Sequence, residues 1–193
     1  MLLKKKSAAI TLALTIILAV ASCYYYFAVY NSVREFSFPA TYKGYSSARA
    51  LFSGAELVVI GSPIQDFEDR EVLIGKDSLG GLMYIVTSTE LQVEELLKGP
   101  KEDAIDLAVI EPSGIRQTYS GKEKITSEGY TEMKKGSKYV IFLKKNTSGQ
   151  YSVINMQAGK FNLDGTDADD AKGSSSKSRI MTELKADFSQ ELK

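Results

Sequence analysis

Four sets of residues in this 193-residue chain carry groups able to do chemistry: the lone Cys23; the lysines Lys134, Lys135, Lys138, Lys144 and Lys145; the aspartates of "DGTDADD", Asp164, Asp167, Asp169 and Asp170; and the glutamates Glu90, Glu94, Glu111, Glu128 and Glu132. There is no histidine. That removes Ser-His-Asp and Cys-His catalysis, and zinc sites built from cysteine and histidine. One cysteine makes no internal disulfide. What remains is carboxylate chemistry, anion binding by lysine, and an oxygen-only site for calcium or magnesium.

Each set has a functional and a plainer reading. Glycoside hydrolysis needs two carboxylates at a defined separation in a cleft, and the five glutamates are scattered, so no catalytic residue, cofactor or metal ligand is assigned. The aspartate run fails the EF-hand spacing, because Ala171 and Lys172 stand where a ligand and a glycine are needed. It reads as a solvated acidic linker. Lys138, Lys144 and Lys145 flank the "YVIFL" segment and are candidates for a rim that binds an anion or polysaccharide. Strand-end lysines also simply keep edges soluble. "GKDSLGG" (75–81) lacks the Lys-Ser/Thr pair of a phosphate-binding loop.

The chain has 24 basic and 24 acidic residues, but the basic residues Lys4, Lys5 and Lys6 are the only charges before Arg34. Beyond them 21 basic residues face 24 acidic ones, and a mildly acidic body argues against a nucleic-acid partner.

Ser7 to Tyr30 is an uncharged run of 24 residues. As a helix it reaches roughly 36 Å, enough for a hydrocarbon core of about 30 Å. Lys4–Lys6 place the N-terminus in the cytoplasm, and Tyr24, Tyr25, Tyr26, Phe27 and Tyr30 form an aromatic belt at the far end. On this reading Cys23 is a small apolar residue within the span. The alternative is that Val20-Ala21-Ser22-Cys23, which resembles the lipobox of bacterial lipoproteins, is cut before Cys23 and the sulfur takes a lipid. The aromatic run after Cys23 is unlike the polar tether of such proteins. Both readings put residues from 31 onward outside the cytoplasm and attached to the membrane.

The elements that must position these groups follow from periodicity. Residues 31–44 read as a linker. Residues 45–53 read as a short helix, 56–64 as a strand buried on both faces, and 65–81 as a loop or irregular hairpin. Residues 82–98 form one long bent strand or two in series, with Met83, Ile85, Leu91 and Val93 inward. In 104–111, Ile105, Leu107 and Val109 point inward. Pro112 to Lys135 contains little that demands burial. Residues 138–143 form a central strand, 144–150 a hairpin loop, 151–157 its partner and 161–163 a short edge strand. Residues 165–178 form a polar linker, and 179–193 a helix with Ile180, Leu184, Phe188 and Leu192 on one face. The predicted fold is mainly β: a small antiparallel OB-like barrel over residues 45–164, with a short N-terminal helix and a C-terminal helix, preceded by one transmembrane helix over residues 1–30.

Three stretches, Ala55–Gly61, Tyr84 to Gly99, and Lys135 to Leu143, resemble the netrin-like module of tissue inhibitors of metalloproteinases and of some bacterial surface proteins. The resemblance covers roughly 45–164 and implies an OB-type barrel. The disulfides and the zinc-chelating N-terminal cysteine amine of the inhibitors have no counterpart here, so it carries over neither protease inhibition nor any functional residue. The expectation is a non-catalytic extracytoplasmic binding module of the cell envelope whose partner is another envelope protein or a polysaccharide. The alternative is a carboxylate-dependent enzyme acting on cell-wall glycan.

Overall fold

The structure is a computed structural model that describes residues 2–170 and 175–187, with side chains from residue 10 onward. The chain divides into two units, Met1–Glu35 with Arg116–Lys124, and Phe36–Ile115 with Ile125–Lys193.

The first unit is built on helix α1, Leu2–Tyr24, which runs on as a π-helical turn, Tyr25–Tyr30. From Ile10 to Tyr30 it is long and apolar enough to cross a membrane, or to be a signal sequence, and none of those residues is buried. Strand β1 follows at Val33–Phe38. The segment expected to be a linker is therefore partly ordered. β1 pairs with β7 (Gly121–Ser127), which pairs with β6 (Ser113–Thr118), and the tip of the β6–β7 hairpin belongs to this unit.

The second unit is a closed five-stranded barrel with two helices. Helix α2, Ala48–Gly54, starts where the Ser47 hydroxyl accepts from the Ala50 amide at 3.2 Å, a typical N-cap. The further strands are β2 (Leu57–Pro63), β3 (Glu71–Lys76), β4 (Leu82–Lys98), β5 (Ala108–Glu111), β8 (Tyr139–Lys145), β9 (Tyr151–Val153) and β10 (Lys160–Asn162), and helix α3 is Ser175–Asp187. Around the barrel the order is β2-β4-β5-β9-β8 and back to β2. Only β5 and β9 run parallel, through Ile110 and Ser152. β4 is a single strand that bends. Its first half forms a hairpin with β3, and its second half pairs with β2 across two register shifts. Such bulges let a long strand curl into a barrel.

β8 explains why two cores form. Tyr139 to Leu143 are all buried, and alternate residues face opposite ways. Tyr139, Ile141 and Leu143 join Leu57, Val59, Leu91, Val109, Tyr130 and Met133 inside the barrel. Val140 and Phe142 face outward, under α2 and α3, with Leu51, Val58, Ile60, Phe161, Ile180 and Leu184. The C-terminal helix thus docks through Ile180 and Leu184, as its spacing predicts, while Phe188 and Leu192 lie outside the described residues.

Several expectations are corrected. Of the two readings of 65–81, a loop or an irregular hairpin, the structure shows the hairpin: residues 71–76 are strand β3, paired with β4 across a register shift. Pro112 to Lys135, read as undemanding of burial, forms β6 and β7 and sends Tyr130 and Met133 into the barrel core. Met83 and Ile105, read as inward, are 67% and 69% exposed. Met83 lies where β4 runs past the barrel into its hairpin with β3, and Ile105 follows a 3₁₀ turn, Glu102–Ala104, before β5 begins. In both places the parity of the strand continues beyond the surface it would bury.

Candidate functional site

The carboxylate alternative is tested first by Glu111, at the end of β5. Its side chain is fully buried, and all its acceptor positions are used. One oxygen accepts from Arg70 Nη1 at 2.8 Å and Thr89 Oγ1 at 2.6 Å, the other from Tyr130 Oη and the Met133 amide, each at 2.8 Å. Arg70 also donates to the carbonyls of Gln65 and Met133. This satisfied ion pair stitches the 65–70 and 130–133 segments to the barrel, and no open position remains for a substrate. Glu94 instead pairs with Lys138 at 2.6 Å, Glu128 accepts from the Ala40 amide at 2.8 Å, and Glu90 is exposed. Glu90 and Glu94 lie on β4, Glu111 ends β5 and Glu128 follows β7, and no two of these four share a partner.

The aspartate run is also different from the expected solvated linker. Asp167 and Asp170 are buried. Asp164 accepts from the Lys138 and Thr166 amides, the Asn162 amide side chain and the Thr166 hydroxyl. Asp167 accepts from Tyr139 Oη at 2.8 Å and pairs with Lys134 at 3.0 Å. Asp170 Oδ1 takes both Lys160 and Lys177, and its Oδ2 takes the Asn162 amide. Among the described residues no group of acidic side chains is spaced to hold a metal ion. The signal that sequence reading missed is the lysines: buried carboxylates need cations, and Lys134, Lys160 and Lys177 supply them. A cleft of about 230 Å³ opens beside this cluster, lined by Phe161, Asn162, Lys177 and Met181 among others.

The cluster makes stability depend on pH. Burial raises Asp164, but the hydrogen bonds to its carboxylate outweigh it and hold its pKa at about 2. Burial lowers Lys177 to about 8 despite the facing Asp170. Burial raises Tyr130 and Tyr139 above their ordinary values, helped by Glu111 for the first and Asp167 for the second. Between about pH 8 and 10 the unfolded chain keeps the Lys177 proton that the fold sheds, so stability should rise with pH. Above about pH 10 it sheds tyrosine protons that the fold keeps, so stability should fall. Below about pH 4 it binds a proton at Asp164 that the fold resists, so stability should fall there too. Urea midpoints across pH should follow this course, and Lys177→Met should remove the rise between pH 8 and 10 alone. Asp170, Lys160 and Asp167 are the charged groups facing Lys177.

The expected lysine rim does not assemble. Lys138 precedes β8 and Lys144 and Lys145 end it, roughly 20 Å apart at ~3.3 Å per residue. Lys138 pairs with Glu94, Lys144 with Glu56 at 3.6 Å and Lys145 with Asp103 at 3.2 Å. Each of the three meets a different acid, and Lys138 stands at the opposite end of the strand from the other two.

Two other surfaces stand out. The first is a pair of grooves of about 460 and 370 Å³, both lined by Tyr42, Tyr45, Asn155 and Met156. Asn155 fastens Tyr45 by accepting from its amide at 2.9 Å and donating to its carbonyl at 3.3 Å. Asn155 and Met156 both have left-handed backbones, φ 60° and 50°. Asparagine tolerates this, while methionine does so at a cost of order 1–3 kcal/mol. The second is the β3–β4 hairpin arm, which exposes Ile74, Leu79, Met83 and Tyr84; Leu79, at the turn, is 95% exposed. β3 pairs with β4 alone, so its outer backbone edge is open among the described residues.

Asp103, Asp164 and Asp167 have displaced pKa values, and all move down, the direction opposite to that of a general acid. Cys23 is exposed on the last turn of α1, with the helix continuous through it. No protein-family model matches the chain, and no curated protein matches it.

Proposed function

We propose that the chain is a membrane-tethered extracytoplasmic binding module, non-catalytic, whose partner is another protein of the cell envelope. Helix α1 is its anchor, with Lys4–Lys6 on the cytoplasmic side and the barrel outside. The barrel is of OB type: numbered along the chain, its five strands run 1-2-3-5-4 around the barrel with the single parallel contact between the third and fifth, a Greek-key order that agrees with the netrin-like resemblance.

The observation that carries the reading is the β3–β4 arm. Four large apolar side chains stand in water on a hairpin whose outer edge is open. Large apolar side chains left in water along one short arm are suited to a partner, and an open edge accepts a strand. Polysaccharide is the second ligand class. Its support is the groove at Tyr42, where an aromatic ring lies beside the polar side chains of Asn155, Gln157 and Glu128.

The test uses the full-length protein in its native membrane, with a photo-crosslinking residue at Leu79. The expected result is one discrete protein adduct that disappears in Met83→Asp. Melting should stay unchanged, since surface substitutions of this kind usually stay within about 0.5 kcal/mol. The same purification reports the mass of the chain, and loss of residues 1–22 with gain of acyl chains would replace the helical anchor with a lipid one at Cys23. Turnover of a glycan, ester or peptide substrate that a single Glu or Asp substitution abolishes, at unchanged melting temperature, would replace the binding module with the carboxylate enzyme.

A further inference from the structure

We infer that the β6–β7 hairpin tip, Thr118–Gly121, is a lipid-binding collar that rests on the outer membrane interface beside the end of α1. This rests on reading α1 as a membrane span.

The tip is joined to the last residues of the apolar helix. Tyr25 Oη donates to the Tyr119 carbonyl at 2.7 Å, and Gln117 Nε2 donates to the Tyr30 carbonyl at 2.9 Å. The Lys122 amide donates to the Ser32 carbonyl at 2.7 Å, and Arg34 Nη2 donates to the Ser120 carbonyl at 2.6 Å. Gly121 makes the closest approach. Its φ is +119°, and a Cβ there would stand 2.9 Å from the Val29 carbonyl and 2.8 Å from that of Ser32. Only glycine allows both the backbone conformation and that contact. Val29 lies within the segment Ile10–Tyr30 that is apolar enough to span. The depth of the hairpin turn is therefore tied to the depth of the helix end, with no free linker between them.

The composition of the tip suits that depth. Tyr119 is 92% exposed beside the helix tyrosines, and a tyrosine ring has an apolar body with a polar end, which is favoured at the membrane–water interface. The charge is complementary as well. Residues 31–35 and 116–124 hold four basic side chains, Arg34, Arg116, Lys122 and Lys124, against two acidic ones, Glu35 and Glu123. The rest of the chain beyond residue 35 holds 17 basic against 22 acidic residues. Arg116 pairs with Glu123 at 2.7 Å and Lys124 with Glu35 at 3.4 Å, so the collar carries a surplus of two positive charges on an otherwise acidic protein, and basic side chains near a bilayer are drawn to anionic headgroups. All of these contacts fall after Cys23, so cleavage at that point would leave them in place.

The chain contains no tryptophan, so one introduced indole is the only such reporter. Full-length Tyr119→Trp and Leu18→Trp proteins are reconstituted separately into phosphatidylcholine vesicles with and without phosphatidylglycerol, carrying brominated acyl chains. The expected result is blue-shifted, bromine-quenched emission from both, with shallow bromines quenching position 119 best and phosphatidylglycerol strengthening its quenching. Quenching at position 18 with water-like, unquenched emission at 119 would overturn the collar and leave the span standing. Absence of quenching at both would overturn the span and the collar with it. Equal quenching at 119 with and without phosphatidylglycerol would overturn the basic residues as the lipid-binding element.

Discussion

Glu111→Ala is expected to destabilise the barrel by about 3–5 kcal/mol, because it leaves the Arg70 guanidinium buried without its counter-ion. Both side chains are fully out of water, at 2.8 Å from each other. Whole-domain stability is typically about 5–15 kcal/mol, so one substitution could consume much of it. The loss extends past the ion pair. Tyr130 Oη, the Met133 amide and Thr89 Oγ1 would each lose an acceptor in a place where water has no easy entry. Glu111→Gln should cost less, since its amide oxygen still accepts. Arg70→Met combined with Glu111→Leu should recover part of the loss, because removing both charges removes the unpaired one. Urea denaturation followed by circular dichroism reads all three. A Glu111→Ala protein with an unchanged midpoint would mean that the pair contributes nothing to the fold.

Phe142→Ala is expected to cost a similar amount, about 3–5 kcal/mol, by a different route. Phe142 is fully buried on the outward face of β8 and meets Phe161 edge to face, with ring centroids 6.1 Å apart. It belongs to the layer that holds α2 and α3 against the barrel. The truncation leaves a cavity between a strand and two helices, and the helices can close on it only partly. The loss should therefore appear first as faster hydrogen exchange across Ser175–Asp187, since a helix of that length is marginal without a surface to pack on. A melting temperature that does not move would show that the outer layer does not depend on this ring. Phe142→Leu, which restores most of the volume, should recover most of the stability.

The two substitutions divide along what sequence makes readable. Phe142 lies in "KYVIFL", where an unbroken apolar run of β-branched and aromatic residues leaves no solvent face, so a central strand between two layers is the natural reading. The same holds for β2 and for the docked face of α3, where Ile180 and Leu184 repeat at helical spacing. Glu111 follows the apolar "LAVI", and in the sequence it stands only as one of five scattered glutamates. Its partner Arg70 lies 41 residues earlier, in a stretch read as a loop or irregular hairpin. Nothing local to either residue announces the other.

Local pattern by itself determined the apolar N-terminal helix, the mainly β class, the extended backbone of 82–98 and the C-terminal helix, because each depends on a hydrophobic period that neighbouring residues carry together; that 82–98 is one strand and not two in series was decided by its pairing with β3 and β2. Tertiary structure alone decided the fate of the charges. It buried Asp167, Asp170, Lys160 and Lys177 as mutual partners, paired Lys138, Lys144 and Lys145 with separate acids, and brought the β6–β7 tip to the end of α1. A charge is solvated or paired according to what lies within a few ångströms in space, and those neighbours come from segments tens of residues away that only the closed barrel brings together.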